Sequence, residues 1–401
     1  MKKCSPLSGI KIIDLTAMVS GPTATMLLGE QGADVIKVEP LEGELMRSVG
    51  DSFNGMSSSF FSCNRNKRSL TLNLKNKKAI GILNKLILEA DVFIQNFRPG
   101  VIDRMGLGYN KIKKIKNNII YVSISGFGDK GPYSNQRVYD PVIQALSGLA
   151  DIQKNNETKE PKMVRTIIPD KTTGLAVAQA ISTALFYRER SGIGQHIKIA
   201  MLDIMISFLW PEGSSSLSFV GKETDPAKGQ SGLDLVFLTK DKKFITAGAV
   251  SDKEWEGMCK ALKRKDLITD KRFITPKSRV ANKVERRVII KNEISKFNRD
   301  KILSIFDKEQ VPSAPILNRV ELLKDKQVKS NSIFKYYQSR FYGKVRFPRS
   351  AAIFSQAKNN NHILAPLLGI NSIDILRELN YTEKEINSFI NEKVTSKFNS
   401  K

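Results

Sequence analysis

Residues 165–174 read RTIIPDKTTG, and Asp170 in this stretch follows a proline and precedes a helical pattern over 173–190. A carboxylate there has two uses. It can cap the helix, accepting from its first free N–H groups, and the helix N-terminus then favours its ionised form. It can also attack an activated carbonyl, because an aspartate of ordinary pKa ~3.9 is ionised at neutral pH without help from a base. The second use suits a chain that holds only two histidines, His196 and His362. That scarcity limits histidine acid–base chemistry and argues against a histidine-rich metal site, so no metal is expected. Cys4, Cys63 and Cys259 form no CxxC pair and no disulfide framework. His196 sits in a strand pattern and reads as structural.

Elements must position that aspartate. The chain has 401 residues, 41% hydrophobic and 26% charged, an ordinary globular composition with room for two domains. No apolar run approaches the ~18–20 residues of a membrane span, and no signal-length apolar core follows the first lysines. A cytoplasmic protein that does not engage membranes is expected. The formal net charge is +25, but the lysines are scattered, as in KNKKA, KKIKNN and TKDKK. No basic, aromatic-interleaved recognition motif appears, so nucleic acid is not the expected partner. The remaining readings are a solvated lysine-rich surface and a polyanionic small ligand.

Residues 1–125 alternate strand and helix patterns. GIKIIDL (9–15) and DVIKVE (34–39) read as strands around a helix opened by Ser20-Gly21-Pro22 and closed at Gly32. Ser20 is the expected cap of that helix. A GxGxxG fingerprint is absent. RSLTLNLK, DVFIQNF, NNIIYVSISGFG and QHIKIAML read as further strands, and NKKAIGILNKLILEA as an amphipathic helix. The segment 212–232 is small, polar and aperiodic. The expected division is a large domain from 1–212 and 321–401, a linker over 213–224, and a small α+β domain over 225–320.

Several motifs in this order resemble the class III CoA transferases, the family of formyl-CoA transferase, carnitine CoA-transferase and the 2-methylacyl-CoA racemases. The matching stretches are LSGIKIIDLT…SGP, GADVIKVE, NRNKRSLTLNLK, NFRPGVIDRMGLGY, SGFGDKGPY, YDPVIQALSG, PDKTTG, ERSGIGQHIKIAMLDIM and VPSAPILNRVELLKDKQV, with APLLG extending the match. The resemblance implies a Rossmann-like α/β large domain, a smaller domain and an interlocked homodimer. It implies that Asp170 is the nucleophile in CoA transfer from an acyl-CoA to a small carboxylic acid. No cofactor is permanently bound; coenzyme A enters as the acyl-CoA substrate. The CoA contacts it implies are Val19, Ser20, Leu72, Asn73, Leu74, Lys75, Asn96, Phe97, Arg98, Arg104, Met105, Arg137, Val138, Tyr139 and Asp140.

The sequence also departs from formyl-CoA transferase. Pro40 stands where that enzyme has a basic residue, so Arg47 or Lys37 is the expected substitute for the lost phosphate contact. Ser48 stands where it has a tryptophan, and its glycine run is reduced to KGQSG (228–232). A carboxylate other than oxalate or formate is therefore expected. Racemisation is the rival reading, but the racemases place a histidine where Tyr139 stands. A non-catalytic basic binding protein is the second rival.

Overall fold

The computed structural model describes residues 4–155, 158–224, 235–357 and 363–398. These divide into two compact units, 1–210 with 333–401, and 211–332. The second boundary thus falls later than the sequence suggests, because 321–332 groups with the second unit.

A 6-stranded sheet forms the first unit. Its strands are β1 (Lys11–Asp14), β2 (Asp34–Glu39), β3 (Lys67–Thr71), β4 (Val92–Gln95), β5 (Ile120–Ser125) and β6 (His196–Ala200). They run in the order β3-β2-β1-β4-β5-β6, every neighbouring pair parallel. The chain reverses its direction of travel across the sheet between β1 and β4. In open α/β sheets the carboxyl ends of the strands at such a switch point leave a crevice for ligands.

The strands are apolar on both faces because helices cover both. Ile13, Ile36, Leu70, Phe93 and Tyr121 pack with Ile82, Leu83, Leu86 and Ile87 of the helix Lys77–Glu89, and with Ile375 and Leu376. Ile12, Val35, Ile94, Val122 and Ile124 face the other way. There they meet Ala24 and Leu28 of α1 (Ser20–Glu30), and Val177, Ile181 and Leu185 of α4 (Ile168–Ser191). Between these two in the chain lie α2 (the helix Lys77–Glu89) and α3 (Asp140–Leu146). The alternation of Ile12 and Ile13 across the sheet is the period of two that any strand imposes.

α4 begins at Ile168, five residues before the pattern read from sequence, and ends where Gly192 takes a left-handed φ of 72°. It lies close against α1. A Cβ on Gly174 would sit 2.9 Å from Thr23 Cβ and 3.0 Å from the Ser20 carbonyl oxygen. Only glycine permits that approach, which brings the start of α4 to the start of α1.

The second unit has a 3-stranded antiparallel sheet of Val236–Leu238, Phe244–Ala247 and Ser313–Pro315. Its core holds Phe237, Ile245, Trp255, Phe273, Ile294 and Phe306. The helix Asp252–Ala261 starts with a capping box between Ser251 and Glu254.

Gly174→Ala is expected to force α1 and α4 apart and to lower unfolding free energy by about 1–3 kcal/mol, with a matching loss of activity. Denaturant unfolding checks the first and an activity assay the second.

Candidate functional site

Asp170 lies in the first turn of α4, not ahead of it. Its side chain does not cap its own helix: Ile167 is the N-cap and makes no side-chain cap hydrogen bond. The cap comes from 30 residues upstream. The Asp170 N–H donates to Asp140 Oδ2 at 3.2 Å. Asp140 is 3% exposed and opens α3. One helical turn later, Gln144 Nε2 donates to Asp140 Oδ1 at 2.6 Å, and Gln144 Oε1 accepts from the Val164 N–H at 2.9 Å. The i,i+4 spacing puts Asp140 and Gln144 on one helix face. Together they tie the segment before α4 to α3.

Ser20 stands beside the Asp170 carboxylate and favours its ionised form. Ser20 is not the cap of its own helix; Val19 occupies the N-cap and makes no side-chain cap hydrogen bond. Burial and the neighbouring Asp140 carboxylate push the Asp170 pKa up to about 6, while Ser20 pulls the other way. This corrects the expectation from helix position alone. Burial and a like charge outweigh the α4 N-terminus.

The turn before α1 is held residue by residue. Asp14 Oδ1 accepts from the Thr16 N–H at 2.8 Å and from its hydroxyl at 2.5 Å. Asn96 holds Ala17 on both sides, accepting its N–H at 2.9 Å and donating to its carbonyl at 2.8 Å. Asp14 itself is fully buried; against the cost of burial, Lys67 and Lys37 keep its carboxyl well below the usual range. Lys67 Nζ lies 2.9 Å from Asp14 Oδ2, and burial pushes its ammonium down to about 8.

A cavity of about 930 Å³ opens at the carboxyl ends of β1 to β4. Its wall gathers Leu72, Asn73, Leu74, Lys75, Phe97, Arg104 and Met105 from the sequence expectation. Thr16, Ala17 and Glu44 also line it. Other expected contacts lie elsewhere. Arg98 lines a separate cavity of about 540 Å³ with Ser123 and His196. There His196 Nε2 lies 2.9 Å from Ser123 Oγ, and its ring stacks on Tyr109 at 4.7 Å. Arg137 and Tyr139 are exposed, and Val138 packs where a Gly126 Cβ would meet it at 2.5 Å. Val19 is buried in a cluster with Met46 and Phe60. Asp140 is buried and accepts from the Asp170 N–H.

The two cations expected to replace the lost basic residue are already matched. Arg47 donates Nε to Glu39 Oε2 and Nη2 to Glu39 Oε1, both at 2.7 Å, with its guanidinium 3.8 Å from the Phe60 ring centroid. Lys37 is fully buried and lies 2.8 Å from Glu44 Oε1. The other cations that line the cavity are Lys75, Lys77 and Arg104. The segment 228–232 and His362 lie outside the described residues. Among the described residues no group of three His, Cys, Asp or Glu side chains could hold a metal ion. No helix among them is long and apolar enough to cross a membrane.

Sequence reading missed Glu44, Gln144 and the capping role of Asp140. The DxxxQ spacing of 140–144 was the available signal for the last two; Glu44 had none, since the Met18 N–H it accepts from lies 26 residues away in the chain.

A folded-state pKa raised from 3.8 to about 6 means that stability from this group is full below 3.8 and is lost as pH rises through 6. Asp170→Asn removes that loss. The variant should match the wild type in stability near pH 4 and exceed it above pH 6.5 by about 1–3 kcal/mol, since each tenfold change in proton affinity is worth ~1.4 kcal/mol. Urea unfolding at the two pH values checks this.

Residues 7–372 match the family model described as CoA-transferase family III. The chain is 34% identical over 397 residues to the succinyl-CoA:glutarate CoA-transferase of Homo sapiens, covering 97% of this chain and 90% of that protein. It is 31% identical over 392 residues to the succinate–glutarate CoA-transferase of Agrobacterium fabrum, covering 94% and 97%. A solved structure of a CAIB/BAIF family protein from Brucella suis matches with a TM-score of 0.81 at 31% identity, over 94% of this chain and 100% of that one. With the parallel sheet, the cavity at its switch point and a carboxylate at the start of α4 all in place, the chain belongs to CoA-transferase family III and is an enzyme, a CoA-transferase.

Proposed function

We propose that this enzyme moves CoA from an acyl-CoA to a free carboxylic acid through covalent intermediates on Asp170. The observation that carries the reading is the Asp170 carboxylate itself. It is part-buried, beside a second carboxylate, and next to Ser20 at the end of a turn whose Thr16 and Ala17 line the large cavity.

The steps need no external proton donor. An Asp170 oxygen attacks the thioester carbonyl; the C–S bond breaks, CoA leaves as thiolate and a mixed anhydride remains. The thiolate attacks the Asp170 acyl carbon, releasing the donor's carboxylate and leaving an aspartyl-CoA thioester. The acceptor carboxylate attacks that thioester, expelling thiolate and forming a second anhydride. Thiolate then attacks the acceptor's acyl carbon and restores Asp170. This is covalent catalysis by a carboxylate. With a pKa of about 6 the carboxylate is more basic than an exposed aspartate, yet about nine-tenths ionised at pH 7.

The cavity of about 930 Å³ is the proposed seat of the CoA nucleotide. Lys75, Lys77 and Arg104 supply cations for its phosphates, and Leu72, Phe97 and Met105 apolar surface for its base. The fold is read as a Rossmann-like large unit. The names of the similar relatives support a dicarboxylic acid of succinate or glutarate size as donor and acceptor. An interlocked homodimer is proposed as well. α4 carries large apolar side chains that the single chain leaves in water, among them Leu175 at 59% and Phe186 at 64% exposed. Phe208, on the next helix, is 57% exposed. Large apolar side chains left in water in this number support an interface.

The test is a covalent trap. The enzyme is charged with succinyl-CoA or glutaryl-CoA, treated with hydroxylamine and digested for mass spectrometry. A hydroxamate on Asp170, absent from Asp170→Ala, is the expected result. No adduct with any acyl-CoA, together with exchange of the α-proton in deuterated water, overturns the reading in favour of racemisation. The acid limb of kcat/KM is expected near pH 6, about two pH units above that of an ordinary aspartate. Sedimentation is expected to give twice the chain mass of 44.9 kDa.

A further inference from the structure

β4 ends on a polar side chain that faces the apolar side of the sheet. By the period of two, Gln95 shares the face on which Phe93 packs into the core, and it is 3% exposed. A buried amide needs partners at both ends. Gln95 Oε1 accepts from the Phe97 N–H at 2.8 Å. Only the oxygen of the amide can accept there, which fixes its orientation. Gln95 Nε2 then faces β5 and donates to Ser123 Oγ at 3.0 Å, Ser123 being its register partner. Ser123 Oγ lies 2.9 Å from His196 Nε2 on β6. The serine oxygen already accepts from Gln95, so its own proton goes to His196 Nε2, and the ring carries its proton on Nδ1. Burial and Lys198 hold the His196 pKa below its ordinary value, which keeps the ring neutral. Tyr109 stacks on that ring at 4.7 Å and Tyr121 meets it edge-on at 5.0 Å. The chain of hydrogen bonds from Phe97 to His196 thus crosses three strands, and each bond in it has one direction.

Phe97 is where this chain meets the ligand space. It lines both the cavity of about 930 Å³ and the one of about 540 Å³, so it stands between them. Its N–H lies past the end of β4, and the Gln95 side chain supplies the acceptor. We propose that Gln95 is a positioning residue for the CoA cavity: its side chain, held through Ser123 by His196, fixes the Phe97 backbone so that residue 97 forms the wall between the two cavities. The inference rests on the larger cavity being the seat of the CoA nucleotide. Gln95 lines the smaller cavity and not the larger, so it acts on the larger through the backbone of residue 97. The next residue works in the same way. Asn96 holds both backbone groups of Ala17, which lines the larger cavity too. Consecutive amides at the end of β4 thus secure two parts of one wall. Without the Gln95 oxygen the Phe97 N–H loses its acceptor, residue 97 is free to turn, and the wall opens.

Two measurements test this: CoA affinity by calorimetry, and the His196 tautomer by histidine nitrogen NMR, a spectrum to which only two histidines contribute. Gln95→Ala is expected to weaken CoA binding and to raise KM for succinyl-CoA roughly tenfold, with kcat nearly unchanged. Gln95→Glu keeps an oxygen for the Phe97 N–H and is expected to bind CoA within about twofold of the wild type. Its second, ionised oxygen accepts from the Ser123 hydroxyl, Ser123 Oγ then accepts from the ring, and the His196 proton moves from Nδ1 to Nε2. A generally loosened fold does not move that proton while affinity is kept. Ser123→Ala frees the Gln95 amide and is expected to weaken CoA binding about threefold. It serves in place of Gln95→Ala if that variant does not fold. A folded Gln95→Ala or Ser123→Ala with wild-type CoA affinity overturns the inference. So does a Gln95→Glu that binds as weakly as Gln95→Ala, or a wild-type ring protonated at Nε2. Arg104→Ala reads the cavity itself. Unchanged CoA affinity in that variant overturns the placement of CoA instead, so the two failures are distinguishable.

Discussion

A part-buried carboxylate beside a second carboxylate, with Ser20 favouring its ionised form, is the arrangement on which this protein turns. Such a group is costly to build. Burial and like charge both oppose its ionisation. The fold meets this by bringing Ser20 to its side. Ser20 comes from the start of one helix, Asp170 from the start of another, and Gly174 lets the two helices approach closely enough for the ends to meet.

The supports form two tiers. Around α4, Asp140 and Gln144 replace the side-chain cap that Ile167 does not provide. Around α1, Asp14, Asn96 and Glu44 satisfy the backbone of a turn that makes no regular ladder of its own. Buried backbone groups need partners, and here charged side chains supply them. Those charges are in turn paired: Asp14 with Lys67, Glu44 with Lys37, and Glu39 with Arg47. Removing one partner would strand a buried ion, which makes the network a rigid frame.

That pairing also explains why basic composition is a poor guide to phosphate binding. Lys37 within β2 and Arg47 after it have the right chemistry, yet both are paired with internal carboxylates. The other cations that line the cavity are Lys75 after β3, Lys77 at the start of α2, and Arg104.

The alternating strand and helix patterns and the apolar strand runs were legible in the sequence, because burial on both faces of a parallel sheet demands them. The ordered motifs likewise carried the family, and they pointed to Asp170, which lies at the start of α4, and to residues 72–75 and 104–105, which the fold gathers in one cavity wall. Three things were not legible: the beginning of α4 ahead of Asp170, the cap that Asp140 supplies to α4 in place of Ile167, and the hold of Glu44 on the Met18 N–H. Each joins residues that lie apart in the chain or reverses a locally favoured hydrogen bond. Local pattern reports what a residue prefers among its neighbours in sequence, as with Ser20 before a helix. What it stands beside is decided by tertiary packing, and here that is the carboxylate of a residue 150 positions away.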